Sequence, residues 1–517
     1  MRKITAREHR ESAAKIAEGR QHPVHVANGE ERAYREDHSF MSFTKGLPHH
    51  PDNGLVRNPK DPIKLRAAID SGYTRDFDLN VPLGDRDPMG NLQWLFHTGA
   101  DHRRWEAPTA GFVYDLEGPD AQAVTMPPAP TIVVQNQPEP GTSYTPPTSA
   151  HGLQPNPELI AEIAEVYWLS LLRDRHLSAF DSGPDFNFDT TFPVSDADAV
   201  QQAVDHLKEL DFYETARGSH PRRRLIGYEQ LTRQNVFRGH TPGERKGPYL
   251  SQFMLMGDGH LKKAHSVEDG KLQYGALRID MRVRKAKAKR DYMTHWNEWL
   301  DVQNGAHVID SQEYEPNPDP DGGFRFITTL RDLTTYVHFD ALYEAYLNAC
   351  LWLLNAKAPV DPRFRHLLGK TEHTEGFALY GGPHILSLMT EVATRGLKAV
   401  RFQKFNTHLR LRPEALAGLI AAQGQGALSG KAASHVGMLS DVLDDTIGGS
   451  NLLQKIRDHN GQRITDNHAA YPPGTQSGIA AGQAAAPLPM AFPEGARRCT
   501  RPMGLAMPRS PVLASPF

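Results

Sequence analysis

Cysteine is nearly absent: the chain has two in 517 residues, Cys350 and Cys499. That excludes a disulfide scaffold and any Cys-rich zinc or iron–sulfur site, and makes a reducing compartment the default expectation. Long apolar runs are missing too. None approaches the roughly 20 residues that a membrane-spanning helix needs. Charge of one sign is also lacking. The 58 Lys and Arg against 61 Asp and Glu leave a formal charge of −3, without the basic excess that marks a nucleic-acid binder. The N-terminal MRKITAREHRESAAKIAEGR is charged throughout and has no apolar stretch of the secretory type. These absences predict a cytoplasmic protein with no membrane and no nucleic-acid partner. The length is ample for a large core.

What is present falls into three stretches. Residues 1–155 are rich in Pro, Gly, Asp and His and carry little periodicity. Segments such as MPPAP (126–130) and QPEPGTSYTPPTSAHGLQPNP (137–157) read as loop or polyproline-like. The aromatics of FMSFTKGLPH and HRRWEAPTAGFVYDLEGPDAQAV suggest a loop-rich arm wrapped on a core or on a second subunit.

Residues 156–465 read mainly as helices, and strand-like alternation is scarce. Asn156 suits an N-cap and Pro157 the first helical position. Leu159, Ile160, Ile163, Val166, Tyr167 and Leu171 then recur at helical spacing. Asp291 precedes a helix carrying Trp296 and Trp299. From Asp340, the run ALYEAYLNACLWLL is apolar on most faces and reads as a central buried helix. Pro383 opens another helix, and Pro413 restarts the chain as PEALAGLIAA. The prediction is an all-α, large helical-bundle architecture. PDPDGG at 318–323 and GGP at 381–383 read as turns rather than a calcium loop or a phosphate loop. Residues 466–517 are Ala-, Gly- and Pro-rich and then aperiodic; they read as an irregular tail.

The segment that carries chemistry is VRFQKFNTHLRLRPEALAG (400–418), in which Lys404 and Arg412 stand eight apart and Pro413 follows. As a bare pair this is a weak signal, since 58 basic residues produce many such spacings. The segment resembles the first oxyanion-binding motif of the vanadium-dependent haloperoxidases, shared with the type 2 phosphatidic acid phosphatases. The resemblance extends, in order, through NGEERAYREDHSFMSFTKGLPH, RRWEAPTAGFVYDLEGPDAQAVTMPPAP, AEVYWLSLLRD, FRGHTPGERKGPYLSQFML, DYMTHWNEWLDVQNG, TYVHFDALYEAYLNACLWLL, FALYGGPHILSLMTEVATRGLKA and LPMAFPEG. It therefore covers most of residues 28–465 together with 488–495.

The resemblance implies an all-α fold, two bundles in the intact family, and vanadate as cofactor. Hydrogen peroxide and a halide, bromide or chloride, would be the substrates and hypohalous acid the product. A homo-oligomer is implied as well. Vanadate is a compact oxyanion, and holding it takes cationic donors, preferably planar Arg forks. By resemblance Lys404 and Arg412 donate to the vanadate oxygens, and Lys404 polarises the bound peroxide. His408 lies beside them and is a further candidate for the cofactor site. The same cradle fits phosphate, so an acid phosphatase is the alternative enzyme. A non-catalytic helical assembly protein is the third reading.

The family's second motif, Ser-Gly-His preceded by another His, is not found after Arg412. Nor is the third, which supplies an Arg and the axial His that ligates the metal. His435, His459 and His468 lack that context, so no metal ligand is assigned. LPMAFPEG leads, in the family, into a segment of the type SPxHPxYxxGHA, whereas here it leads into ARRCTRPMGLAMPRSPVLAS. A frame shifted by one base permits His, Pro and Tyr there. It forces Gly across Met503–Gly504 and Ala across Met507–Pro508, spelling HPxYG(A/S)GHA. The expectation is that the residues after Gly495 come from a shifted frame, which resequencing tests. Without the later motifs, a full cradle is reduced to two cations. Losing several charge-assisted bonds of about 1.5–3 kcal/mol each predicts no haloperoxidase turnover by the 517 residues as written.

Overall fold

In the computed structural model the described residues are chiefly 44–71, 157–180, 194–213, 231–237, 270–291, 293–294, 296–306, 312–316, 322–339, 343–358, 381–402, 411–445 and 451–461, with shorter pieces such as 252–255. Their helices are α1 (Asp61–Ser71), α2 (Pro157–Leu172), α3 (Val194–Lys208), α4 (Trp296–Gln303), α5 (Leu330–Phe339), α6 (Glu344–Asn355), α7 (Gly382–Phe402), α8 (Pro413–Gly424), α9 (Gly430–Asp444) and α10 (Leu452–Gly461). Two small antiparallel sheets accompany them: β1 (Lys271–Tyr274) with β2 (Leu277–Asp280), and β3 (Val283–Arg284) with β4 (Phe324–Arg325). The predicted all-α class is what the described residues form.

They divide into two compact units. The first takes described residues from 1–249, 283–339 and 399–498; the second takes those from 250–282 and 340–398.

The first unit is built around α2 and α8. Every residue from Glu414 to Ala422 in this helix is buried. Its run of Ala and Gly allows close approach from all sides. α9 folds back on α8, α10 packs on α9 and α2, and α3 packs on α2. α2 is buried almost all round, with Leu159, Ile163, Val166, Tyr167, Trp168 and Leu169 at 3% exposure or less.

The helix with Trp296 and Trp299 begins at Trp296 itself. Asp291 precedes it without capping it, because its carboxylate is taken by two buried arginines. Arg173 Nη2 lies 2.6 Å from Asp291 Oδ2, and Arg331 Nη2 lies 3.0 Å from Asp291 Oδ1. Arg331 also grips Asp174 through Nε and through Nη2, the latter at 2.7 Å. Burial alone would raise the Asp174 carboxyl, but the hydrogen bond and charge of Arg331 hold it below its usual value. The start of α5 is a capping box. Thr329 N donates to Asp332 Oδ2 at 3.1 Å, and Asp332 N donates to Thr329 Oγ1 at 3.2 Å.

The arm expected in residues 1–155 has its described part tied to the core of its own chain. Gly46 N donates to the carbonyl of Gln303 at 2.6 Å, satisfying an orphan acceptor at the end of α4. His49 N donates to Asn304 Oδ1 at 2.9 Å. Trp296 Nε1 donates to Pro51 O at 2.6 Å. Burial lowers the His49 imidazole to about 4, a shift opposed by its bond to Leu47 O. The rest of the arm's aromatic segments, Asn156 and residues 466–517 lie outside the described residues.

In the second unit, β1 and β2 form a hairpin whose turn uses Gly275 at φ +60°, a conformation that costs glycine little. α6 rests on β1 and on the short 3₁₀ turn Gln252–Met254. Asn355 Nδ2 donates to Gln273 O at 2.8 Å, Trp352 Nε1 to Gly257 O at 3.2 Å, and Phe253 meets the Trp352 ring edge-on at 5.5 Å. The central buried helix expected at 340–354 is corrected here. Only Asn348 and Leu351 of α6 are buried, since the hairpin and the 3₁₀ turn cover one side of it. α7 starts beside Pro383 as expected.

Candidate active site

Arg412 is the one predicted site residue among the described residues. Lys404 and His408 lie outside them. Arg412 occupies the N-cap of α8, with φ −65° and ψ 148°, and Pro413 follows at the first helical position. Its carbonyl accepts the first helical bonds, from Ala415 N at 3.0 Å and Leu416 N at 3.1 Å. Its side chain makes no cap. A cation there faces the positive end of the helix dipole, so arginine is a poor choice for helix stability. The arrangement brings a guanidinium and a helix N-terminus together at one point, both of them donors to an anion, with the Glu414 carboxylate against the guanidinium.

Two features hold that point in place. The first is Trp299 of α4, whose Nε1 donates to Glu414 O at 2.9 Å. Its indole lies flat on the helix one turn further on. A Cβ on Gly418 would come within 2.1 Å of Trp299 Cε2, and a Cβ on Gly54 within 2.7 Å of Trp299 Cη2. Two glycines therefore make the slot, and Trp296 flanks Trp299 with ring centroids 4.9 Å apart. The second is Glu414, fully buried, whose Oε1 lies 2.6 Å from Arg412 Nε. Arg412 keeps 18% of its side chain exposed.

Sequence reasoning found Arg412 and Pro413 but passed over Glu414, Trp299 and Gly418. The signal was in PEALAG: an acid in the first turn of an otherwise apolar helix, with a glycine one turn later on the same face. His435, set aside for want of context, is buried on α9. Among the described residues, no group of three His, Cys, Asp or Glu could hold a metal ion. The donor chemistry described is a guanidinium at a helix N-terminus, which fits a tetrahedral oxyanion and not a bare cation.

No family model matches the chain. Curated relatives do. A vanadium-dependent bromoperoxidase of Corallina officinalis is 39% identical over 486 residues, covering 87% of this chain and 74% of the relative. The vanadium-dependent bromoperoxidase of Corallina pilulifera is 40% identical over 440 residues, covering 80% and 67%. The chain belongs to the vanadium-dependent bromoperoxidase family, within the haloperoxidase superfamily that the first oxyanion motif implies. Among solved structures, the homohexameric vanadate-dependent bromoperoxidase AnII of Ascophyllum nodosum matches with a TM-score of 0.57 at 20% identity, a likeness of fold. That match covers 91% of this chain and spans 64% of the other. No helix among the described residues is long and apolar enough to cross a membrane.

Proposed function

We propose that the chain is a haloperoxidase-type polypeptide whose oxyanion site begins at Arg412. In this reading Arg412 and Lys404 donate hydrogen bonds to the oxygens of vanadate, His408 stands at the same site, and Lys404 polarises hydrogen peroxide. Vanadate, when bound, supplies a Lewis acid that activates peroxide. The net reaction consumes hydrogen peroxide, a halide ion and a proton and yields hypohalous acid and water. The observation that carries the reading is an arginine at the N-cap of a helix buried from Glu414 to Ala422, at the motif position that the family resemblance assigns to an oxyanion donor.

The chain's residues have two tasks. Arg412 brings a guanidinium, a planar multiple donor, to the N-terminus of α8. The Trp299 slot fixes the backbone that carries it, which the site needs because a misplaced donor loses most of its effect. A second copy of the chain is the expected partner. The axial histidine and second arginine of the family are not identified in the sequence, so the 517 residues are expected to bind vanadate weakly and to turn over no halide.

The test is orthovanadate titration of the full chain, followed by bromination of a phenol-red-type dye with bromide and hydrogen peroxide. Binding that weakens at least tenfold in Arg412→Ala, without dye bromination, is the expected result. Bromination by the chain as it stands overturns the expectation of inactivity. Vanadate-inhibited cleavage of a phosphate ester would move the assignment to the phosphatase side of the superfamily.

A further inference from the structure

We propose that residues 44–58 form a clasp latched by His49 onto the end of α4: the clasp is closed while the imidazole is neutral, and a proton on that ring opens it. The inference concerns the arm and stands whether or not Arg412 binds an oxyanion.

The loop first closes on itself. His50 N donates to Leu55 O at 2.8 Å, Gly54 N to His50 O at 2.9 Å and Arg57 N to Pro48 O at 2.9 Å. Gly54 turns the chain at φ +69°, which glycine adopts at little cost. The closed loop then grips α4 and the residue after it through Gly46 N, His49 N and Pro51 O, whose partners are Gln303 O, Asn304 Oδ1 and Trp296 Nε1. Gly54 lies against the Trp299 ring, so the loop is also one wall of the tryptophan slot. Opening the clasp takes away that wall and the acceptor of Trp296 together.

His49 sits at the centre of the grip and is buried. Its contacts suit the neutral ring. Nδ1 lies 2.6 Å from Leu47 O, which can only accept, so Nδ1 carries the proton. Nε2 lies 3.4 Å from Thr44 Oγ1, a hydroxyl that can donate to it. A second proton makes Nε2 a donor and buries a charge. The charged neighbours on the loop are cations: Arg57, whose Nε donates to His49 O at 3.1 Å, and His50. Lys45 is a further cation of the loop, and its one acid, Asp52, is exposed. α4 faces the ring with the neutral amide of Asn304. The acids of α4 serve other groups: Asp301 Oδ1 accepts from Leu95 N at 2.8 Å, and Glu298 accepts from the amides of Met293 and Thr294.

Burial is the largest cause that lowers His49 to about 4, and His50 and Arg57 add to it against the bonds to Leu47 O and Asn304. In the open loop the ring returns to the ordinary 6.5. The folded value is the lower one, so the open form takes the proton first. The clasp is fully latched above pH 6.5 and loosens as pH falls toward 4.

The experiment is hydrogen exchange on the full chain, read by mass spectrometry as protection of the amides of residues 46–57 and corrected for intrinsic rate. Protection is expected to fall about twentyfold from pH 7 to pH 5, while α8 holds within threefold. Loop protection unchanged within threefold overturns the proposal. So does an equal loss in α8, which marks general acid loosening. His49→Gln removes the titrating group, and its loop protection is expected to be flat over the same span, whatever its level. Asn304→Asp keeps an acceptor for His49 N and sets a carboxylate beside the ring, so the closed clasp tolerates the proton and loop protection at pH 5 stays within threefold of that at pH 7. A twentyfold acid loss that survives in either variant overturns the latch.

Discussion

The two units of this chain solve the burial problem in different ways. The first buries charge as well as hydrocarbon: Arg173, Arg331, Asp291, Asp332 and Glu414 are all buried, with Asp332 and Glu414 fully so. Each of these has an opposite partner; those of Arg173, Arg331, Asp291 and Asp332 come from different elements, and that of Glu414 is the N-cap of its own helix. Such pairs add little net stability, yet they tolerate few alternative arrangements. The second unit buries few polar side chains among its described residues. It leaves Tyr343, Tyr346, Leu277 and Leu388 exposed at 36%, 53%, 45% and 50%. α6 is apolar on most faces, and the hairpin and the 3₁₀ turn cover one side of it. The site candidate lies in the first unit, where direction is enforced by paired charges and a tryptophan slot.

That contrast can be broken at several points, beginning with the largest effect. Asp291→Ala removes one carboxylate from two buried guanidinium groups. A loss of about 3–5 kcal/mol is expected, read as a shift of the urea midpoint at unchanged slope. A loss below 1 kcal/mol would mean that the network is a bystander.

Gly418→Ala comes next, at about 3 kcal/mol, because the added methyl meets the Trp299 ring, which cannot yield. Trp299 fluorescence should report the displacement. Gly426→Ala is a poor control because that residue sits at φ +70°. Gly437→Ala is a better one, since its Cβ would meet Gln423 Nε2 at an ordinary 3.5 Å.

Acid sharpens the same comparison. His206 of α3 is fully buried against the edge of Trp168, with ring centroids 5.8 Å apart. Burial, helped by the charge of Lys455, lowers its imidazole to about 4. The folded value lies below the ordinary 6.5, so the unfolded chain binds the proton first. Stability is therefore full above pH 6.5 and falls as pH drops toward 4, by about 3 kcal/mol at the lower end. His206→Phe should flatten that limb of the pH–stability curve, and an unchanged acid limb would count against the assignment.

The smallest effect belongs to the second unit. Arg282 pairs with Asp280 through Nη2 at 2.7 Å, but both side chains are substantially exposed. Arg282→Ala should change stability by no more than about 0.5 kcal/mol. A larger loss would show that the hairpin depends on charge as the first unit does.

Much of the local structure was legible in the residues. Pro157, Pro383 and Pro413 each mark a helix start, and the spacing of Leu159, Ile163 and Val166 foretold a buried face on α2. The resemblance of residues 400–418 singled out Arg412. Two readings misjudged burial. The apolar run from 340 to 354 looked like the centre of the bundle, and the small-residue run PEALAGLIAA looked like one helix among several. Hydrophobicity states what a helix can bury, whereas closeness of packing depends on which neighbours reach it. Ala and Gly admit neighbours on every side, and a run rich in Leu, Trp and Tyr waits for them.

By itself the sequence determined the elements and the chemistry available: helices opened by prolines, a chain with too few cysteines for a disulfide scaffold, and an arginine followed by proline in an oxyanion motif. Tertiary structure alone decided that Asp291 serves two arginines instead of a helix cap and that α8 is buried from Glu414 to Ala422. It also decided that Trp299 fits between Gly54 and Gly418. These are meetings between residues far apart in the chain. They follow from the joint closure of several elements on one core, and no local pattern encodes a distance across it.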